Sequence, residues 1–325
     1  MDLTYSNIYL SNRNKTIYQH PNYLRMIEDV IGVKSQHLIC KIHSSAIPLL
    51  YKTTSYGKVY NSLPFFGSCG GIVGGNVFCT ELEAQVSSIY QEVNFASINI
   101  VSNWYNQVEL NESTISFNTV ERQNSLKDLE VISGDENAAL FSYHSKTRNI
   151  VRATIANDFV LCDMSNEFEE VTKIHFSEMV GKERIGKPIG FWEYLMKNEN
   201  SKLDYVIYGA KKDGEILGFI LFIFDEKLGQ IEYFVPGSTI NGRKYNINYF
   251  LIHSAILEFS KQRFTTLHFG GSHLKQDNLI RFKERWGCKS YRYKYFNTYS
   301  KHLDNLSEGM LTGEAPYFYI KPFTQ

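Results

Sequence analysis

Residues 204–224 spell out a β-hairpin. DYVIYGA and EILGFILFIF are two strand-forming runs, and KKDG between them carries the Asp-Gly pair of a tight turn. The hairpin constrains everything after it, because the following pattern alternates. QIEYFVPG at 230–237 reads as a third strand and 238–245 as a loop. NINYFLIHSAILEFSKQ then has the spacing of a helix, and TTLHFGG at 265–271 that of a strand. KQDNLIRFKERWG at 275–287 predicts a helix that stops at Gly287. An antiparallel hairpin followed by a strand–helix–strand crossover predicts an α/β chain with a mixed sheet.

The segment before the hairpin adds SYHSKTRNIVRATIAND (142–158) as a basic helix and FVLCDM (159–164) as a short strand. A helix follows from an Asn166 cap to about residue 180, with Phe168, Val171 and His175 on one face. GKERIGKP at 181–188 is a loop, and FWEYLMKN at 191–198 a short helix. SYRYKYF (290–296) and PYFYIKPF (316–323) read as late strands. The first half has a related order. HPNYLRMIEDVIG (20–32) predicts a helix ending at Gly32, and HLICKIH (37–43) and AIPLLYKT (46–53) two strands around a Ser44-Ser45 turn. Thr80 with Glu83 looks like a capping box for a helix whose apolar stripe is Leu82, Val86, Ile89, Tyr90 and Val93. ASINIVS (96–102) is the next strand, and 103–135 read as short strands and loops. The two halves are expected to be structural duplicates, divided as 1–140 and 141–325, since 325 residues suit about two domains.

Composition excludes several classes. With 34 basic and 34 acidic residues there is no global field to draw the chain onto DNA or an anionic surface. No apolar run reaches transmembrane length, and residues 1–15 lack the apolar core of a signal peptide, so a cytoplasmic location is expected. The five cysteines are widely spaced without Cys-x-x-Cys, which points to reduced thiols rather than a disulfide framework or zinc site. No His-x-x-x-His or His-Glu-x-x-His spacing occurs among the nine histidines, so no metal is expected.

Within these limits a few residues carry chemistry. Arg148 and Arg152 are four apart, hence on one helix face; they would clamp a phosphate or carboxylate, or simply face water. The glycine segment SCGGIVGG lacks both the Gly-Lys-Ser/Thr ending of a P-loop and the G-x-G-x-x-G register. It is either a bend that brings the backbone of Gly70 and Gly71 close to a ligand or a structural turn. Cys69 lies inside it with no sequence-local base. His273 and Asp277 stand at a helix start, where a cap and its neighbour are expected.

The β/α order is the layout of the GNAT acyltransferase fold, and five segments sharpen the likeness. LPFFGSCGGIV (63–73), SKTRNIVRA (145–153), GKPIGFWEYL (186–195), DGEILGFILF (213–222) and HFGGSHLKQDNLIRFKERWG (268–287) fall in the order of the FemABX-like branch, which the chain resembles over about 63–296. The resemblance implies two tandem GNAT-like domains with a cleft between them. It implies transfer of an acyl group to an amine, with the acceptor in the cleft and the donor on the second domain. It also departs from the branch. There is no helical-arm insertion of the kind expected in members that use aminoacyl-tRNA, which favours an acyl thioester such as acyl-CoA as co-substrate, no tightly bound cofactor, and a small-molecule or sugar-nucleotide acceptor.

The same resemblance assigns roles. Lys283 would stabilise the charge developing on the reacting carbonyl, with Phe282 beside it at the donor. Glu232, on the third central strand, would take the amine's proton. The donor's phosphates would rest on Gly237, Gly242, Arg243 and Lys244 at the start of the crossover helix, although the Arg/Gln-x-x-Gly-x-Gly/Ala pattern is absent. Gly70, Gly71, Arg148 and Arg152 would meet the acceptor. An aminoacyl-tRNA donor, or a degenerate pair that only binds, remain the alternatives.

Overall fold

The computed structural model describes residues 3–13, 15–65, 67, 69–74, 78–105, 115–198, 201–262 and 264–322. The chain forms two compact units, Met1–Asn124 with Arg292–Gln325, and Ser125–Tyr291. The linear division expected at residue 140 is therefore replaced by a discontinuous one.

The first unit opens with α1 (Leu3–Ser11) and α2 (Pro21–Ile31), then β1 (Lys34–Ser35), β2 (Leu38–Cys40), β3 (Ser45–Ile47), β4 (Leu50–Thr54) and β5 (Gly57–Asn61). Helix α3 (Thr80–Tyr90) and β6 (Phe95–Val101) follow, and β7 (Asn118–Asp128) leads into the second unit. That unit holds α4 (Glu136–Ser142), α5 (Ser145–Ile155), β8 (Val160–Asp163), α6 (Phe168–Gly181), α7 (Ile189–Met196), β9 (Asp204–Lys212), β10 (Glu215–Asp225), β11 (Gln230–Ser238), α8 (Ile240–Lys244), α9 (Ile247–Lys261), β12 (Thr266–His273) and α10 (Asp277–Arg285). Strand β13 (Lys289–Tyr299) returns to the first unit, which ends with α11 (Glu308–Glu314). The return has a physical cause: Tyr295–Tyr299 pair antiparallel with Val101–Ser97 of β6, so the C-terminal segment belongs to the first unit's sheet.

In the second unit the strands run β12-β11-β10-β9-β8. Asp213 and Gly214 both have positive φ (50° and 83°), the geometry an Asp-Gly hairpin turn needs, and Lys212 pairs with Glu215 across it. Strand β10 is apolar throughout because both faces are covered. Ile220 and Phe222 pack in one core with Leu251, Ile256 and Phe259 of α9. On the other face the Trp192 ring of α7 meets Phe219 edge-on at 5.8 Å, and α6 lies against β11. In β11, Phe234 is an extra residue between the partners of Leu221 and Phe222, a bulge that turns the strand.

The first unit orders its strands β1-β4-β5-β6-β13. Helix α3 covers one face, burying Leu82, Val86 and Ile89 against Ile98, Ile100 and Phe296. Tyr90 and Val93, expected in that stripe, are exposed. The cap is Cys79 rather than Thr80, which is already helical, and no side chain caps the helix. The strand expected over 46–53 breaks at Pro48 into β3 and β4, which lie in different sheets, and the turn before it spans 41–44.

Other segments also differ from expectation. Part of 103–135 is the eleven-residue β7, whose polar sequence NTVERQNSLKD hides a strand from hydropathy; 106–114 lie outside the described residues. Within 142–158 the helix α5 starts at Ser145, behind a separate α4 capped by Asp135. The loop at 238–245 contains α8, capped by Thr239, whose Oγ1 accepts from Gly242 N at 3.0 Å.

The expected strand at 316–323 is absent over its described part, 316–322, which is turn, bend and irregular backbone. Side-chain amides take the place of a strand partner. Asn61, Asn99 and Asn297 lie directly opposite one another on β5, β6 and β13, all buried. Asn61 donates to Tyr319 O (3.0 Å) and accepts from Tyr319 N (2.9 Å), and Asn297 donates to Ile320 O (3.1 Å). Asn61→Ala leaves both backbone groups of Tyr319 unmet and is expected to lower stability by about 2–4 kcal/mol in urea unfolding. A loss within about 0.5 kcal/mol, the range of ordinary surface substitutions, would show that the segment is held by other contacts.

Candidate functional site

Strands β11 and β12 pair in parallel at three positions, Gln230 with Thr266, Ile231 with Leu267 and Glu232 with His268. Alternation along a strand sends Ile231 and Leu267 into the core beneath α9 and turns Glu232 and His268 to the other face. Both are fully buried, and His268 Nδ1 lies 3.0 Å from Glu232 Oε1. This pair stands at the end of the parallel ladder. Beyond it β11 continues to Ser238 and β12 to His273.

Lys283 anchors the end of β12. It is buried although its helix neighbours Arg281 and Glu284 are exposed. Its Nζ donates to Gly270 O (2.7 Å), Gly271 O (3.1 Å) and Ser272 Oγ (2.8 Å). All three N–H bonds of the ammonium are thereby engaged. Burial pushes its pKa down to about 8, against the opposing pull of Cys288 and Glu232.

A second buried amine lies close by. Lys127, at the end of β7, donates to Ser142 Oγ at 2.7 Å and sits 5.3 Å from the Tyr143 ring centroid. Burial lowers it to about 8 as well. Cys288 interacts with both lysines; burial raises its thiol to about 12 while the two cations pull it down. Gly287 makes the approach possible. Its φ is +76°, and a Cβ there would lie 2.2 Å from Ser142 O and 3.0 Å from Lys127 Nζ.

The other sequence-predicted residues are dispersed. Phe282 packs edge-on against Tyr249 at 5.9 Å and Trp286 at 6.4 Å. Gly237 and Gly242 allow close packing: a Cβ would meet the Phe219 ring at 2.4 Å and Leu217 O at 2.0 Å. Arg243 donates to Ser238 O at 3.0 Å and lies 4.0 Å from the buried Glu178, which also accepts from Ser238 N and pairs with Lys182. Lys244 is exposed. Arg148 donates to Leu140 O (2.9 Å) and Tyr143 O (3.0 Å), closing the end of α4, whereas Arg152 is exposed. In the first unit Gly70 N donates to Ser102 O at 3.3 Å, and Gly71, at φ +88°, rests on the end of β6 with Gln19 Nε2 donating to its carbonyl. Cys69 is buried and accepts from Asn124 Nδ2 at 3.7 Å. His273 Nδ1 accepts from Lys275 N, and Gln276 rather than Asp277 caps α10.

The sequence reading named Glu232 and Lys283 but missed His268 and Lys127. No local signal marks either: His268 gains meaning only from the register opposite Glu232, and Lys127 only from the approach of Gly287. Among the described residues no group of three His, Cys, Asp or Glu is placed to hold a metal ion. No helix among them is long and apolar enough to cross a membrane.

No protein-family model matches the chain, and no curated protein matches it in sequence. Solved structures do match. FemX superposes with a TM-score of 0.65 at 12% identity, over 89% of this chain and 94% of that one. L-PGS from Bacillus licheniformis gives 0.57 at 13%, over 98% and 96%. The C-terminal domain of a putative lysylphosphatidylglycerol synthetase from Agrobacterium fabrum gives 0.57 at 12%, over 96% and 94%.

Proposed function

We propose that this chain, whose fold is the FemABX-like, GNAT-related one, is an N-acyltransferase. It moves an acyl group from a thioester donor to an amine on an amino sugar or cell-envelope precursor. The observation that carries this reading is the end of the β11–β12 ladder, where a buried carboxylate–imidazole pair and a buried ammonium lie at two parting strands. In this reading a thioester carbonyl held where the two strands part, and polarised by hydrogen-bond donors there, is open to attack.

In this reading the amine nitrogen bonds to the thioester carbon, the carbon–sulfur bond breaks, and the thiolate leaves. Glu232, 3.0 Å from His268, receives the proton released by the attacking nitrogen. Lys283 supplies positive charge and fixes the Gly270–Ser272 end of β12. Gly237, Gly242, Arg243 and Lys244, with Phe282, are the donor side. One feature favours aminoacyl-tRNA as donor instead: Arg243 is tied to Ser238 O and Glu178, which weakens a pyrophosphate grip.

The test is a screen of acyl-CoA donors against amino-sugar nucleotides with detection of released thiol. Acceptor-dependent thiol release is the expected result. Transfer only from charged tRNA would replace the donor, and absence of both would leave a binding module.

A further inference from the structure

We propose that Arg122 is an anion-binding residue of the first unit, whose guanidinium takes a carboxylate or phosphate group of a small molecule. Arg122 lies on β7, half-buried, with its Cζ 4.5 Å from the centroid of the Tyr295 ring on the neighbouring strand β13. Four other arginines have protein acceptors: Arg148 holds two carbonyls, Arg243 a carbonyl and Glu178, and Arg25 and Arg281 the carboxylates of Asp29 and Asp277. Among the described residues Arg122 has no carboxylate within ion-pair distance, and its Nε is shut away from solvent with no acceptor.

A buried Nε–H without an acceptor is costly unless something meets it. Stacking on Tyr295 compensates the face of the group through the ring quadrupole, but it leaves the in-plane N–H edge free. That edge is a planar fork, and its natural partner is a planar or tetrahedral oxyanion taken in two parallel hydrogen bonds. The surroundings suit such a ligand. Tyr293, Tyr295 and Tyr319 all feel the charge of Arg122, which draws their hydroxyls down against the upward push of burial. Asn124, two residues along the same strand and therefore on the same face, donates to Cys69 Sγ, and Cys69 in turn couples to Tyr293 and Tyr295. The site thus adjoins Cys69, next in the chain to Gly70 and Gly71, and as an anion site it does not rest on the transferase reading.

The full chain is titrated with inorganic phosphate, pyrophosphate and succinate at constant ionic strength, with tyrosine fluorescence and calorimetry as readouts. Saturable binding of either the phosphates or the dicarboxylate is expected, and the arm that saturates identifies the anion. Arg122→Gln is expected to weaken it at least about 10-fold, and Arg122→Lys, which keeps the charge but loses the fork, by less. If Arg122→Gln does not fold, Arg122→Lys and Tyr295→Leu carry the comparison, each weakening binding in a chain with an unchanged circular dichroism spectrum. Equal affinity in the folded variants, or no saturable binding of any of the three anions, overturns the proposal. None of these anions contains an acyl group, so their failure leaves the transferase reading standing, and absent thiol release leaves this site standing.

Discussion

Lys283→Ala is expected to cut turnover at least about 100-fold while the chain still folds. The loss has two sources. The substitution removes a buried positive charge from the parting of β11 and β12, and it strips Gly270 O, Gly271 O and Ser272 Oγ of their shared donor. The second effect costs stability, on the order of 2–4 kcal/mol, because buried acceptors lose their partner and a long side chain leaves a void. Lys283→Met keeps the stem volume and separates the two: it should recover part of the stability and none of the rate. Wild-type turnover in either variant, with the thiol-release assay working, would remove Lys283 from the mechanism.

The pH dependence sharpens this test. Burial holds Lys283 near 8 in the folded chain, whereas an unfolded lysine titrates near 10.4. Between those values the unfolded state binds more protons, so stability must rise with pH across the window. Lys127 is lowered to about 8 by the same cause and adds a like contribution. Each is worth at most about 3 kcal/mol by pH 10. A rate that needs the Lys283 ammonium falls over the same window. Activity lost while stability is gained cannot come from unfolding. Lys127→Met should reduce the stability gain and leave the falling limb of the rate in place, whereas Lys283→Met should remove both its share of the gain and the limb.

Glu232→Gln is the second large effect. The carboxylate and the His268 imidazole have no exposed surface and lie 3.0 Å apart. Altering one member of this buried polar pair is expected to cost about 1–3 kcal/mol. Loss of a general base lowers turnover by about 100- to 10,000-fold. A double-mutant cycle with His268→Gln separates position from chemistry: the pair should couple by about 1–3 kcal/mol in stability. If Glu232→Gln retained both stability and turnover, the pair would be neither a structural unit nor the base.

Much of the second unit was legible from local chemistry. Asp213-Gly214 fixed the hairpin because positive φ at two adjacent positions suits that pair. Gly32 and Gly287, both in the left-handed region, ended helices where the pattern said they would. Expectations failed where a local rule met a tertiary demand. The segment 316–322 looks like a strand, yet its backbone is satisfied by the amides of Asn61 and Asn297. The polar β7 is a strand because of its neighbours in the sheet, not because of its own hydropathy.

The amino-acid sequence by itself determined the turns, the helix ends, the alternation of strands and helices, and which residue types were available for chemistry. These depend on φ/ψ preferences and on apolar spacing within a dozen residues. Only the tertiary structure decided that Glu232 faces His268, that Lys127 and Lys283 converge on Cys288, and that Arg122 lies on Tyr295 with no carboxylate partner among the described residues. Apart from Lys283 and Cys288, which are near neighbours in the chain, those meetings join residues 36 to 173 positions apart. Strand register and the closeness of glycine contacts set them, and both are fixed by the packing of whole elements rather than by any segment's own preference.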